Sequence, residues 1–293
     1  MNDYLLTLIL GVVEGLTEFL PVSSTAHLRI AQALLGTDLS NGFWKMFAIV
    51  IQIGPILCLP IFFRNRLAAW FASFPGGTRG DRTALTHPLT LTAVAFVVTA
   101  GLALPLNKLI SEHLENLRII AITLIVGGVV MWIVDAIFGS RGMGETENEA
   151  AREVEEMGPG RAIWIGICQA ISGIFPGTSR SMATIAGGQV CGLSRSAALE
   201  FSFLLSIPTM VAATGHGLYS SLKTTHGEAP VHVDSHGWVL LFLGTMISFI
   251  VAYYVVTWFM NWVRERGFVP FAIYRLIVGG AVLAWVLNGA AGK

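Results

Sequence analysis

Two carboxylates four residues apart, Glu14 and Glu18, stand in an apolar stretch and are followed by Ser23, Ser24, Thr25 and His27. At spacing i and i+4 the two acids share one helix face. In a low dielectric they resist joint ionisation unless a cation or an Arg lies between them, which makes them candidates for a metal clamp or for general acid/base work. Ser24 and His27 are three apart, within hydrogen-bonding reach if a helix begins near Ser23. The hydroxyl is then either a nucleophile activated by the imidazole or a helix cap. Far along the chain, PGTSRSMAT at 176 to 184 supplies complementary chemistry. Gly177 permits backbone shapes closed to other residues, Thr178, Ser179, Ser181 and Thr184 offer hydroxyls, and Arg180 carries a planar fork that grips phosphate at two points. Acids, nucleophile and anion clamp together are what phosphoryl hydrolysis requires.

The two clusters belong to one stretch that occurs twice. GVVEGLTEFLPVSSTAHLRIA at 11 to 31 and GICQAISGIFPGTSRSMATIA at 166 to 186 are displaced by 155 positions. Gly11/Gly166, Pro21/Pro176, Ser24/Ser179, Ile30/Ile185 and Ala31/Ala186 are identical. Each copy reads as an apolar helix, a break at Pro with small hydroxyl residues, and a second apolar helix, which together make a re-entrant hairpin. Gly11 and Gly15, matched by Gly166 and Ala170, give small faces for close helix packing. Irregular backbone at membrane depth is tolerated only where protein buries it or where it lines a wet cavity, so the two breaks are expected to face each other.

Of 293 residues, 54% are hydrophobic and 12% charged, with mean hydropathy +0.69; soluble domains carry about 25% charge. Net charge is zero, which gives no footing for nucleic acid. Cys58, Cys168 and Cys191 lie in apolar segments without metal spacing and read as core residues. The N-terminal stretch lacks a basic n-region and has Glu14 and Glu18 where a signal peptide is apolar. Apolar runs predict six spans, at 46 to 63, 89 to 106, 117 to 139, 197 to 215, 237 to 263 and 269 to 289. The expected fold is an all-α polytopic membrane protein, six transmembrane helices plus two re-entrant hairpins. Residues 1–139 and 161–293 form the two repeats, joined by an acidic cytoplasmic linker at 140–160. Three spans per half turn the second repeat over, giving an inverted topology. Lys and Arg distribute ten to five between the two sides, which places 64 to 88, 140 to 161, the connector near 195 and the turn at 264 to 266 in the cytoplasm and both termini outside. Arg29, in the first hairpin, and Arg275, in the last span, fall inside membrane segments and are expected to snorkel or to pair with an acid such as Glu200. The acidic stretch 142 to 160 reads as a solvated linker, and the loop 216 to 236 with His216, His226, His232 and His236 as a flexible segment, where a metal site is conceivable but the irregular spacing argues against one.

EGLTEFLPVSSTAH and PGTSRSMAT resemble the two signature motifs of the undecaprenyl-pyrophosphate phosphatase family, the bacitracin-resistance proteins of bacterial inner membranes. The similarity extends along the chain and includes LEFSFLLSIPTM at 199 to 210. The resemblance implies removal of the terminal phosphate from a C55 polyprenyl pyrophosphate lipid, with a site facing the periplasm and a divalent cation, Mg or Ca, as cofactor. Carried over by motif, Glu14, Glu18, Ser24, His27 and Arg180 are the catalytic residues, and Glu14 and Glu18 also hold the metal. Ser23, Thr25, Gly177, Thr178, Ser179, Arg180, Ser181 and Thr184 surround the phosphates. The lipid and the bilayer are the expected partners, and a homodimer is kept open. No PSGH occurs, which separates the chain from phosphatidic-acid phosphatases. An alternating-access flippase is the competing class, since inverted repeats with broken helices also build carriers; the acids and the Ser/His pair favour hydrolysis.

Overall fold

A computed structural model describes residues 2–37, 41–106, 116–139, 154–223 and 231–289. Every described element is helical. The first hairpin is α1 (Asp3–Thr17) and α2 (Ser24–Leu34). It is followed by α3 (Gly42–Val50), α4 (Ile53–Phe62), α5 (Arg64–Ser73), α6 (Pro88–Ala103) and α7 (Leu117–Phe138). The second hairpin is α8 (Pro159–Ile174) and α9 (Arg180–Val190), followed by α10 (Arg195–Leu222), α11 (Ser235–Arg266) and α12 (Val269–Leu287). Polar N-caps start these helices where the sequence turns apolar: Asn2 accepts from Tyr4 N, Asn116 from Arg118 N, and Asp234 from Gly237 N at 2.7 Å.

Five helical stretches are long and apolar enough to cross a membrane: Gly42–Phe62, Leu117–Phe138, Arg195–Leu222, Ser235–Val263 and Val269–Leu287. The chain is an integral membrane protein. At the span expected over 89 to 106, α6 is apolar but only 16 residues long, about 24 Å at the α-helical rise. Three expectations are corrected. The segment 64 to 88 contains a helix, α5, rather than loop throughout. Helix α10 runs to Leu222, so His216 is helical and not part of a loop. The end of the acidic linker is packed rather than solvated: Val154, Glu155 and Met157 are buried, and Glu155 accepts from Trp70 Nε1 and Arg66 Nη2, both at 2.8 Å. Arg66 also holds Glu200, at 2.6 Å, which removes that acid as a partner for Arg275. Residues 140–153, His226 and the segment 107–115 lie outside the described residues.

The two halves pack alike. Helix α1 lies along α11 and α8 lies along α6. At the first contact, Gly11 meets Gly244 O and Ile247; at the second, Gly166 meets Ala95 O and Val98. Helices α7 and α12 pack on each other, Gly128 meeting Ala272 O, Arg275 and Leu276 while Gly279 meets Ala121 O, Leu124 and Ile125. These two contact sets are one set displaced by 151 residues. Because the partner number rises as the residue number falls, α7 and α12 run antiparallel.

The glycines at these crossings carry the close approach. A Cβ on Gly15 would stand 2.7 Å from both Ser248 O and Val251 Cβ, whereas one on Gly280 meets nothing within 4 Å. Overpacking of a filled contact costs about 1–3 kcal/mol. Gly15→Ala is therefore expected to lower the thermal midpoint of the purified protein, and Gly280→Ala to leave it unchanged or raise it through helix propensity. Equal midpoints for Gly15→Ala and wild type would show that α1 and α11 are not in contact through this face.

Candidate active site

Both hairpins break in the same way. The chain passes each Pro and turns into its second helix through a serine with φ of 74°, Ser23 in one copy and Ser179 in the other. Left-handed backbone is strained for a residue with a side chain. Each serine caps its helix: Ser23 Oγ accepts from Ala26 N and Ser179 Oγ from Met182 N. The far ends match as well, with glycines at positive φ at Gly36 and Gly192. Past the break the backbone repeat therefore runs at 156 residues, not 155, because PGTS has one residue more than PVS. The structural counterpart of Ser179 is Ser23, and that of Ser24 is Arg180.

The breaks meet, and a buried guanidinium lies between them. Arg275, on α12, is fully buried. Its Nη1 donates to Pro21 O at 3.1 Å in the first break, and its Nη2 donates to Gly177 O at 2.9 Å in the second. Nη2 and Nε also reach Thr123 O at 3.2 Å and Leu124 O at 3.3 Å on α7. The expectation of snorkelling or of an acidic partner is thus replaced by backbone carbonyls, which the breaks leave without helical donors. Gly127 makes room, since a Cβ there would collide with the guanidinium. Thr123 Oγ1 donates to Pro176 O, and Ser181 Oγ donates to Leu20 O at 3.1 Å, tying second break to first.

Around this clamp the structure gathers Glu14, Glu18, Ser24 and Arg180, all buried or nearly so. Arg180 Nη2 donates to Glu18 Oε1 at 3.0 Å and contacts Met210 Sδ at 3.3 Å. Ser24 Oγ donates to Glu18 Oε2. Among the described residues, both carboxylate oxygens of Glu14 and Nη1 of Arg180 are buried without a hydrogen-bond partner. Unused acceptors beside an unused cationic donor are costly in a low dielectric and mark a place for a ligand.

His27 is placed differently from the sequence expectation. Its Nδ1 bonds Ser23 O at 2.8 Å and its Nε2 bonds Tyr274 Oη at 2.8 Å, so the ring does not serve Ser24, whose proton points to Glu18. Thr184 is turned away from the acids, bonding Arg180 O and Ser202 Oγ. Thr178 lines an apolar groove of about 700 Å³ between α7, α8 and α9, with Ile122, Val126, Phe175 and Met182 among its walls. Thr25 is half-buried at the first turn of α2. Ser179 and Ser181 bond each other at 3.0 Å. Sequence reasoning missed Tyr274 as a neighbour of His27, and Thr123 and Met210 as walls of the site. A tyrosine beside an intramembrane arginine was the one signal available for the first; nothing local distinguished the other two.

Two carboxylates one helical turn apart, with the oxygens of Glu14 unspent, suit a hard divalent cation that takes its remaining ligands from phosphate and water. Among the described residues no three His, Cys, Asp or Glu side chains converge.

These features define an integral membrane protein of helical hairpins with an acid, hydroxyl and guanidinium site enclosed between two broken helices. The chain belongs to the bacitracin resistance protein BacA family, whose family model matches residues 7–281. It is 60% identical over 292 residues to a Koribacter versatilis protein named undecaprenyl-diphosphatase, covering 98% of this chain and all of that one. It is 40% identical over 283 residues to a Thermus thermophilus protein of the same name, covering 96% and 97%. A Paramagnetospirillum magneticum protein named undecaprenyl-diphosphatase 2 is 38% identical over 285 residues, covering 96% and 98%.

Removing the Arg275 guanidinium would leave the Pro21 and Gly177 carbonyls buried without donors, at about 1–3 kcal/mol each. Arg275→Met is expected to lower the thermal midpoint in detergent and to abolish activity together, with Arg275→Lys intermediate in both. An Arg275→Met protein that melts with wild type would mean the two breaks hold without the clamp.

Proposed function

We propose that this chain hydrolyses undecaprenyl pyrophosphate to undecaprenyl phosphate and inorganic phosphate. The observation that carries the reading is the pair of unspent groups, the Glu14 carboxylate and Arg180 Nη1, flanking a serine hydroxyl already hydrogen-bonded to Glu18. Relatives that bear the name of this activity match the chain almost end to end. The role in lipid-carrier recycling and bacitracin resistance follows from the family.

Arg180 binds the terminal phosphate through its free Nη1 and exchanges its Glu18 contact for a second phosphate oxygen. Ser24 Oγ attacks the terminal phosphorus and its proton passes to Glu18 Oε2. The bond from that phosphorus to the bridging oxygen breaks, and undecaprenyl phosphate leaves with the bridging oxygen. In the second step water attacks the phosphoserine and gives a proton to His27 Nε2, the bond from phosphorus to Ser24 Oγ breaks, Oγ regains the proton held by Glu18, and inorganic phosphate leaves while His27 returns its proton to solvent. Glu14 and Glu18 would hold a divalent cation, Mg or Ca, which neutralises phosphate charge when bound. Ser23, Thr25, Gly177, Thr178, Ser179 and Ser181 shape the phosphate surroundings. The apolar groove beside Thr178 suits the first part of a prenyl chain: its α7 wall spans Ile119 to Val134, about 22 Å at the helical rise.

The architecture that accompanies this reading is six spans with two re-entrant hairpins in an inverted repeat. The antiparallel contact of α7 and α12, related by 151 residues, supports it, as does the matched packing of α1 on α11 and α8 on α6. The ten-to-five distribution of basic residues supports a site that opens to the periplasm of a bacterial inner membrane.

Phosphate release from undecaprenyl pyrophosphate by purified protein, with and without chelator, tests the mechanism. Ser24→Ala and Glu18→Gln are each expected to lower kcat at least 100-fold, and Arg180→Lys to be severely impaired because a point charge does not replace the fork. Chelation should stop release and added Mg restore it. Near wild-type turnover in Ser24→Ala would exclude the covalent route and leave water as the nucleophile. In the groove, Ile122→Trp is expected to raise KM for the C55 substrate more than for a C15 one; an equal change for both would take the chain out of the groove.

A further inference from the structure

His27 is committed at both ring nitrogens. A carbonyl only accepts, so the 2.8 Å contact to Ser23 O puts the proton on Nδ1. The lone pair of the neutral ring is then on Nε2, and the Tyr274 hydroxyl at 2.8 Å donates to it. The two rings stack, with centroids 5.5 Å apart and planes 11° from parallel. Tyr274 is 43% exposed and His27 is half-buried, and the phenol covers Nε2. Its position is set by its neighbour, because Arg275 is pinned to four carbonyls.

The internal repeat bears on this pair. The 151-residue relation between α7 and α12 makes Thr123 the counterpart of Tyr274, and the Thr123 hydroxyl donates to Pro176 O of the second break. Each half thus sends one hydroxyl from the same helix position to a hairpin break. The hydroxyl sent by the first half, on Thr123, reaches the backbone of the second break directly, whereas that sent by the second half, on Tyr274, meets the first break through His27. The counterpart of His27 at the 156-residue register is Ala183. The interposed imidazole occurs only in the half that carries the acids, since Gln169 and Gly173 stand where Glu14 and Glu18 do in the other copy.

We infer that Tyr274 is a positioning residue for the hydrolysis, fixing the ring plane of His27, whose tautomer the Ser23 carbonyl sets, so that Nε2 is the nitrogen presented to the attacking water. The inference rests on the proposed role of His27. Tyr274 acts through the imidazole: it holds Nε2 as an acceptor in the resting protein and gives way to water when the phosphoserine forms. Replacing the tyrosine by phenylalanine keeps the stacked ring and removes only the donor.

Two measurements on Tyr274→Phe decide it. Steady-state kinetics with undecaprenyl pyrophosphate should show kcat lowered roughly tenfold with KM within about twofold of wild type, as expected for one lost hydrogen bond. Modification of His27 by diethyl pyrocarbonate, read on the His27 peptide by mass spectrometry, should become several-fold faster because Nε2 is uncovered. The labelling needs no turnover, so it decides even where activity is too low to fit. An unchanged kcat, a change confined to KM, or a lower kcat with unaltered labelling would each overturn the assignment. His27→Gln separates the two readings: full activity there removes His27 from the site, whereas an inactive His27→Gln beside a wild-type-like Tyr274→Phe removes only Tyr274.

Discussion

A helix broken inside a membrane leaves carbonyls that neither lipid nor its own backbone can satisfy, and in this protein one side chain answers both breaks. Arg275 donates to Pro21 O and to Gly177 O from the same guanidinium, with two further bonds to α7. An arginine is suited to this because its five donors are spread in a rigid plane and it cannot shed its charge as a lysine can. Four carbonyl dipoles surround a cation that meets no carboxylate in its hydrogen bonds, so Glu14 and Glu18 are left for other work. Gly127 beside the guanidinium and Gly177 at a φ of 95° are the small residues that let the three elements approach.

The site lies between two copies of one hairpin motif that share the turn and cap of their breaks but differ in the chemistry they carry. Both breaks turn through a serine at the same positive φ, and both are met by a hydroxyl from the equivalent position of α7 or α12. The first copy carries the carboxylates, the serine that donates to Glu18, and the imidazole; the second carries Arg180 and the hydroxyls around it. Neither copy alone supplies both the carboxylates and the Arg180 guanidinium. Bringing the breaks face to face completes the set, and the Arg180 to Glu18 contact across 162 positions of sequence is where the halves join chemically.

Much of the site was readable from residue types. Acids four apart in an apolar stretch, a Ser/His string after a Pro, and an arginine in a Pro-Gly-hydroxyl string are rare enough to single out without coordinates. The register was less readable. Matching identical letters pairs Ser24 with Ser179, but the caps pair Ser23 with Ser179, since one extra residue in the second break changes the offset without changing the letters. The partner of Ser24 was also beyond a local reading: spacing allows His27 at three residues, yet the turn at Ser23 directs the hydroxyl to Glu18 and the imidazole to Tyr274, 247 positions away.

The sequence by itself determined the class of environment, the two helix breaks, and the identities of the groups that could handle phosphate, because hydropathy, Pro and buried charge are local properties of the chain. It also determined which half holds the acids and which the guanidinium. Only the tertiary structure decided that Arg275 holds the breaks, that Glu18 rather than His27 receives the Ser24 hydroxyl, and that Thr184 turns toward Ser202. These are choices among partners equally available by type, and distance and direction in the packed molecule settle them.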